Sequence, residues 1–233
     1  MNASPSRPWP WITGYKWRLL LAGLIGLLLI SPIGQVFERG DSIIAPAIGV
    51  VVLGVIAGVV EGRVTKRLLT LYTLTWMAIG YATEGSSLFA GASLLAPILF
   101  MFLVLAVLVL IARWMMRVTH VNTEAICAAI CGYLLLGILW TDFYATAIKV
   151  RSIVMPGQPP PFVSTIPSNF DAADLLYFSY MTLTTTGYGD IIPRGGEVRM
   201  LAVTEAMVGL FYNTIIIARF VGLWGVHREE PAK

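Results

Sequence analysis

The sequence predicts an all-α membrane protein with six membrane-spanning helices and one shorter helix that enters the membrane without crossing it. Of its 233 residues, 57% are hydrophobic and 12% are charged, whereas soluble domains carry about 25% charged residues. The charges are clustered, so long uncharged stretches remain between them. One 14-residue apolar stretch, residues 171–184, is too short to cross a bilayer, because a spanning helix needs about 20 apolar residues.

Six other apolar stretches approach or exceed the length that a membrane helix needs. They are residues 18–37, 43–60, 68–83, 88–112, 123–148 and 197–224. The fourth contains Pro97 in mid-span, where we expect a kink. Residues 171–184 begin with acidic side chains and end at a run of threonines. Acidic residues suit a helix N-terminus, so we expect a re-entrant half-helix between the fifth and sixth spans.

The distribution of lysine and arginine predicts the orientation of these helices. With the N-terminus in the cytoplasm, the cytoplasmic segments hold ten lysines and arginines and the opposite side holds five, in agreement with the positive-inside rule. We therefore expect a multi-pass protein of the plasma (inner) membrane with both termini in the cytoplasm. Residues 1–17 and 225–233 are then cytoplasmic tails, and the proline-rich connection 149–170 lies on the outer side.

Residues 184–190 read TTTGYGD and follow the half-helix directly. Gly187 and Gly189 can adopt positive φ, so successive carbonyls of this segment can point to one side. Irregular backbone at membrane depth is tolerated only where protein or water covers it, and an unpaired carbonyl in hydrocarbon is costly. A dehydrated cation would satisfy such carbonyls. The segment therefore predicts a cation site made of backbone oxygens.

TTTGYGD resembles the signature T-T-x-G-Y-G-D of the potassium channel family, the pore-loop tetrameric cation channels. The resemblance covers residues 171–224: the half-helix, the signature, Pro193 and the last span. It implies that residues 118–224 are a pore domain with an extended selectivity filter, in which carbonyl rings replace the hydration shell of K⁺. One copy of the signature per chain implies a homotetramer, so the expected partners are three identical subunits and membrane lipid. K⁺ is the permeant ion, and no cofactor is expected.

The resemblance also implies roles for individual residues. The ion-binding residues of the filter would be Thr185, Thr186, Gly187, Tyr188 and Gly189. The first four would bind K⁺ through their carbonyls, and the Thr185 hydroxyl would complete the innermost site. Asp190 would lie at the outer mouth, where it either hydrogen-bonds behind the filter or attracts cations. The residues that would support the filter are Tyr177, Phe178 and Thr184.

Thr186 departs from the commonest form of the signature, which has valine at this position. The threonine hydroxyl needs a hydrogen-bond partner, which puts the stability and the selectivity of the filter in question.

Polar residues recur on one face of the last span. Glu205, Gly209 and Asn213 are spaced four apart, which places them on the same side of a helix. By the resemblance, Gly209 is the hinge of the inner helix. Glu205 has two interpretations: it lines the cavity and concentrates cations, with Asn213 below it, or it packs behind the filter and hydrogen-bonds Thr184, Thr186 or another hydroxyl of the half-helix.

The expected fourth span, residues 88–112, contains no charged residue. Voltage sensors carry arginines in this helix, because only charge that moves through the field couples to voltage. Residues 18–117 are therefore expected to form a four-helix membrane scaffold that lacks gating charges.

The predicted function is a K⁺-selective channel that conducts passively. A weakly selective K⁺/Na⁺ channel remains an alternative because of Thr186. A second alternative is a secondary transporter, although the chain shows no inverted repeat. A third alternative is a non-conducting scaffold. The net charge of +3 does not indicate a nucleic-acid partner. The sequence contains no nucleophile–base pair, metal cluster or phosphate loop, so we expect neither an enzyme nor a small-molecule substrate. Cys127 and Cys131 are interpreted as buried hydrophobic residues.

Overall fold

The structure, a computed structural model, describes residues 16–36, 49, 53–54, 62–83, 94–165 and 170–226. The helices with described bounds are α1 (Lys16–Val36), α2 (Arg63–Thr83), α3 (Leu95–Arg117), α4 (Thr123–Val154), α5 (Ala172–Leu183) and α6 (Gly196–Val226). Two short strands are β1 (Phe162–Ser164) and β2 (Ile191–Pro193). Nearly all of the predicted second span, residues 43–60, lies outside the described residues.

Among the described helices, three are long and apolar enough to cross a membrane: α3, α4 and the part of α6 up to Leu223. A mostly helical membrane protein is therefore confirmed, whereas the number of six spans stays a prediction. The expected kink at Pro97 is wrong, because α3 begins at Leu95 and Pro97 lies in its first turn. A proline in the first turn of a helix displaces no intrahelical hydrogen bond.

The half-helix is α5, and its start is fixed by its own sequence. The Asp171 side chain accepts hydrogen bonds from the backbone N–H groups of Ala173 and Asp174, each at 3.0 Å. Such an N-cap satisfies two of the four N–H groups that a helix leaves unpaired at its start. The helix therefore begins one residue after Asp171, close to the predicted position.

The long helix α4 lies at the centre of the described structure and contacts α1, α3, α5 and α6. One half of α4 packs against α1 and α3 in a core that includes Trp17, Leu103 and Cys131. The other half packs against α5 and the two strands in a second core that includes Tyr144 and Phe178. The second core also includes Leu183 and Ile191, the residues that directly precede and follow the TTTGYGD segment.

The two strands fasten the α4–α5 connection to the chain that follows the signature segment. They pair antiparallel, with Phe162 opposite Pro193 and Ser164 opposite Ile191. Beyond the strands, the Thr165 N–H donates to the Asp190 carbonyl at 2.9 Å. This pairing was not predicted, because the proline-rich sequence of residues 149–170 indicated only a connecting loop.

Candidate functional site

The backbone of the TTTGYGD segment alternates in hand. Thr185, Gly187 and Gly189 have φ values of 58°, 54° and 79°. Among the described residues other than glycine, only Phe170 and Thr185 have positive φ, so the intervening Thr186 and Tyr188 are not left-handed. Positive φ is readily adopted by glycine and rarely by threonine. The alternation allows successive carbonyls to face the same side.

The N–H groups at the start of the segment are held by the half-helix. The Met181 carbonyl accepts hydrogen bonds from the N–H groups of Thr186 at 2.9 Å and Gly187 at 3.1 Å, and the Thr185 N–H donates to the Thr182 carbonyl at 2.9 Å. In the described part of the chain, no hydrogen bond ends on a carbonyl between Thr185 and Gly189. These carbonyls are therefore available for a ligand.

The Thr186 hydroxyl has a partner in the structure. It lies 2.9 Å from the Thr184 hydroxyl, and the Thr184 hydroxyl donates to the Tyr180 carbonyl at 2.6 Å. Because a hydroxyl has one proton to donate, Thr186 is the donor in the contact with Thr184. The extra hydroxyl of this signature is thus turned back toward the half-helix.

Asp190 is held by a tyrosine of the half-helix. The Tyr177 hydroxyl donates to the Asp190 carboxylate at 2.7 Å. This hydrogen bond lowers the pKa of Asp190 below its ordinary value, since it favours the ionised form. The same bond raises the pKa of Tyr177 to about 12. Asp190 is therefore an ionised group hydrogen-bonded behind the segment.

The end of the half-helix rests on α6 at a glycine. A Cβ atom on Gly209 would lie 2.6 Å from the Leu183 carbonyl oxygen, so no larger residue fits without a shift. The same carbonyl accepts a hydrogen bond from the Tyr133 hydroxyl of α4 at 2.9 Å. Helix α6 continues through Gly209 without a break. In this structure Gly209 therefore serves close packing, and its role as a hinge stays a prediction.

Glu205 is fully buried between three helices. Tyr144 of α4 donates its hydroxyl to one carboxyl oxygen at 2.5 Å, and the Ser179 hydroxyl of α5 lies 2.5 Å from the other. Glu205 therefore lies behind the half-helix, bonded to Ser179 rather than to either threonine. The interpretation in which its carboxylate faces a cavity disagrees with this position, because the side chain is covered by its own chain.

Residues 134–223 match the ion channel family. This part of the chain is an ion channel domain. The match runs from within α4 to near the end of α6, and so includes the half-helix and the signature segment.

Part of the chain is also similar to a curated protein. Over 51 residues the chain is 45% identical to Protein LctB of Bacillus caldotenax. The alignment covers 22% of this chain and 37% of LctB, so the chain spans little more than a third of that relative. No solved structure matches.

Two further predicted residues of the ion channel domain occupy different surroundings. Asn213 is exposed, because the half-helix ends at the level of Gly209 and no described residue of this chain covers the Asn213 side of the next turn of α6. Phe178 is buried in an aromatic cluster, with ring centroids 5.1 Å from Tyr144 and 5.2 Å from Phe162. Phe178 thus anchors the half-helix to α4 and β1 and has no described ring contact with the signature segment.

Sequence reasoning missed Tyr133, Tyr144 and Ser179 as parts of this site. One signal was present, because Tyr133 and Tyr144 lie eleven residues apart in α4. Eleven residues are about three helical turns, which places both rings on one face. Tyrosines on one face of an apolar helix indicate that polar groups of a neighbouring helix lie opposite them.

Proposed function

We propose that the chain forms a K⁺-selective channel in which the carbonyls of four residues replace water around the ion. These residues are Thr185, Thr186, Gly187 and Tyr188, with Gly189 completing the filter and the Thr185 hydroxyl completing the innermost site. The observation that carries the proposal is a difference in hydrogen bonding between the N–H groups and the carbonyls of the signature segment. Its first N–H groups are bonded to the half-helix, whereas its carbonyls have no described hydrogen bond. Unpaired carbonyls at membrane depth require a ligand, and rings of carbonyls suit K⁺.

Four copies of the chain around one axis are part of this proposal. In a single chain the whole segment 184–189 is exposed, and the Tyr188 side chain is 73% exposed. Irregular backbone cannot face lipid, and one segment cannot surround an ion. Further copies of the chain would cover the outer side of each segment and close the ring of carbonyls.

The filter accounts for only part of the pathway. Five extended residues reach at most about 17 Å, whereas the hydrocarbon core is about 30 Å thick. We propose that a wider water-filled cavity beside α6 completes the path, with the exposed Asn213 among its lining residues. Residues 118–224 would be the pore domain and residues 18–117 the scaffold, with both termini in the cytoplasm.

Strict selectivity is favoured over weak K⁺/Na⁺ selectivity by the position of Thr186. Its hydroxyl is engaged with Thr184, and a hydroxyl that already donates a hydrogen bond there is not free to turn into the ion path. Thr186 would then present the same carbonyl as the valine of the commonest signature.

The proposal is tested with purified protein in planar lipid bilayers under opposed K⁺ and Na⁺ gradients. We expect single-channel steps whose reversal potential lies near the equilibrium potential of K⁺. The matched control is Gly187→Val, because a β-branched residue at positive φ is a strong outlier and should abolish the K⁺ current.

A reversal potential near zero would overturn K⁺ selectivity and support the weakly selective channel. Flux without single-channel steps would instead support a transporter, and no flux at all would support a scaffold.

A further inference from the structure

We propose that Glu205 is a neutral carboxylic acid that donates its proton to Ser179 and so positions the half-helix behind the filter. The description of the neighbouring segment as a filter rests on the proposed function. The protonation state rests on the surroundings of the carboxyl group, which are independent of what the protein conducts.

The first observation is that Glu205 is buried without a cation. Its exposed fraction is 0%. The groups that face it are the hydroxyls of Tyr144 from α4 and Ser179 from α5, with Tyr180 of α5 as the next titratable neighbour. The described ion pairs include one acid of α6, Glu197, which binds Arg151, and they do not include Glu205. An ionised carboxylate buried without a cation is far more costly than a neutral acid.

The second observation is a count of protons. The Ser179 hydroxyl lies within hydrogen-bond distance of two acceptors, the Gly137 carbonyl at 2.8 Å and a Glu205 carboxyl oxygen at 2.5 Å. A serine hydroxyl has one proton, so it cannot donate to both. If Glu205 is ionised, one of these two contacts is left without a proton.

A neutral Glu205 satisfies all three contacts. Tyr144 donates to one carboxyl oxygen, the protonated oxygen of Glu205 donates to Ser179, and Ser179 donates to the Gly137 carbonyl. The chain of hydrogen bonds then runs in one direction from α6 through α5 to α4. Ser179 lies one turn before Leu183, where the half-helix ends, so this chain fixes the point at which the signature segment begins.

Infrared spectroscopy of the purified wild-type protein in lipid tests the protonation state at neutral pH. We expect a carbonyl stretch of a protonated carboxylic acid that is lost in Glu205→Gln. Two variants are the controls: Glu197→Gln removes the exposed, paired glutamate of the same helix, and Asp142→Asn removes a partly buried acid of α4. The Glu205 band should persist in both. The proposal is overturned if Glu205→Gln removes no such band from the wild-type spectrum.

Thermal unfolding of conservative and truncating variants tests the positioning role. In Glu205→Gln the amide donates to Ser179 and accepts from Tyr144, so it reproduces the hydrogen bonds of a neutral acid and should keep the melting temperature within about 2 °C of the wild type. Glu205→Ala removes both contacts and leaves a cavity, and should lower it by more than about 5 °C. Equal losses in the two variants would overturn the proposal. Neither measurement depends on ion conduction, so a failure here is distinguishable from a failure of the proposed channel activity.

Discussion

Tyrosine hydroxyls hold the half-helix and its surroundings in place, each through one directed hydrogen bond. The donors are Tyr133, Tyr144, Tyr177, Tyr180 and Tyr212, and their acceptors are three backbone carbonyls and two carboxyl groups. A tyrosine combines an apolar ring with a polar tip, so it can reach a carbonyl inside an apolar core without adding charge. At the scale of single residues, the position of the signature segment depends on these hydroxyls.

The bond between Tyr177 and Asp190 predicts a pH dependence. Because the pKa of Asp190 is lowered, the stabilisation from this pair is present above the ordinary aspartate pKa of about 3.9 and is lost as the pH falls through the lower native value. Tyr177→Phe should return the pKa of Asp190 toward its ordinary value, so the variant should be less stable than the wild type at neutral pH and should lose less stability as the pH falls. Melting temperatures measured from pH 7 downward check this.

Tyr72→Phe is the control for this measurement, because the Tyr72 hydroxyl donates to the Leu99 carbonyl in the scaffold. Removing that hydroxyl should leave the decrease of melting temperature at acidic pH unchanged. If the melting temperatures of the wild type and Tyr177→Phe depend on acidic pH in the same way, the hydrogen bond from Tyr177 does not set the pKa of Asp190.

Close packing at Gly209 predicts that a single methyl group disturbs the site. Gly209→Ala would place a Cβ 2.6 Å from the Leu183 carbonyl, and overpacking of this kind costs about 1–3 kcal/mol. The control is Gly222→Ala on the same helix, where a Cβ would meet nothing within 4 Å. Thermal unfolding should show a loss for Gly209→Ala and no loss for Gly222→Ala. Equal melting temperatures would show that α5 and α6 are not in close contact at this point.

At the scale of elements, local signals made the half-helix predictable. Its predicted range, 171–184, differs from the observed Ala172–Leu183 by one residue at each end, because the cap at Asp171 and the threonines after Leu183 lie in the same short stretch. The pairing of β1 with β2 could not be predicted in this way, because it joins segments almost thirty residues apart and depends on how the half-helix folds back.

The partner of Glu205 was equally inaccessible to sequence reasoning. The spacing of Glu205, Gly209 and Asn213 gave their shared face, and both interpretations of Glu205 were compatible with it. The rotation of α6 decides between them, and the contact between Gly209 and the Leu183 carbonyl fixes that rotation. A contact between distant parts of the chain is not encoded in a helical period.

The far end of α6 is attached to the end of α3. Arg219 donates hydrogen bonds to the carbonyls of Met115, Met116 and Val118 at 2.8, 3.0 and 3.2 Å. These carbonyls lie at the C-terminus of α3, which leaves its last carbonyls unpaired and carries partial negative charge. Arg219 thereby connects the ion channel domain to α3, the helix that precedes it.

Replacement of Arg219 should weaken this connection in a charge-dependent way. We expect Arg219→Gln to reduce stability by about 1–2 kcal/mol, since a cation at a partly buried helix C-terminus contributes up to about 2 kcal/mol. Arg219→Lys should recover part of the loss, because it keeps the charge but has fewer donors. Arg199→Gln removes an exposed arginine near the opposite end of α6 and should have little effect. Equal stability of Arg219→Gln and the wild type would contradict a structural role for this contact.

At the scale of the whole molecule, one chain leaves much of α6 uncovered. Only 6% of its most apolar stretch is buried within the chain. Large side chains are exposed along its length: Met200, Val203, Met207, Leu210, Phe211, Ile215, Ile217 and Val221. Exposed apolar surface of this extent is suited to lipid and to neighbouring chains, and the exposed signature segment lies beside it. Lipid cannot cover irregular backbone, so the proposed neighbouring chains must cover the signature segment.

The proposed tetramer predicts how strongly a defective chain suppresses the K⁺ flux. If one chain with a disrupted filter inactivates an assembly, co-expression of equal amounts of wild type and Gly187→Val leaves only assemblies made entirely of wild-type chains active. Random mixing in a symmetric tetramer then reduces the flux to about one sixteenth, compared with about one quarter for a dimer and about one half for independent chains.

Co-purification of differently tagged chains establishes that the two forms assemble together. Co-expression with Ser152→Ala, an exposed residue near the end of α4, should leave the flux undiminished. A reduction to only one half, with co-assembly demonstrated, would mean that each chain conducts by itself and would overturn the shared pathway on which the proposed filter depends.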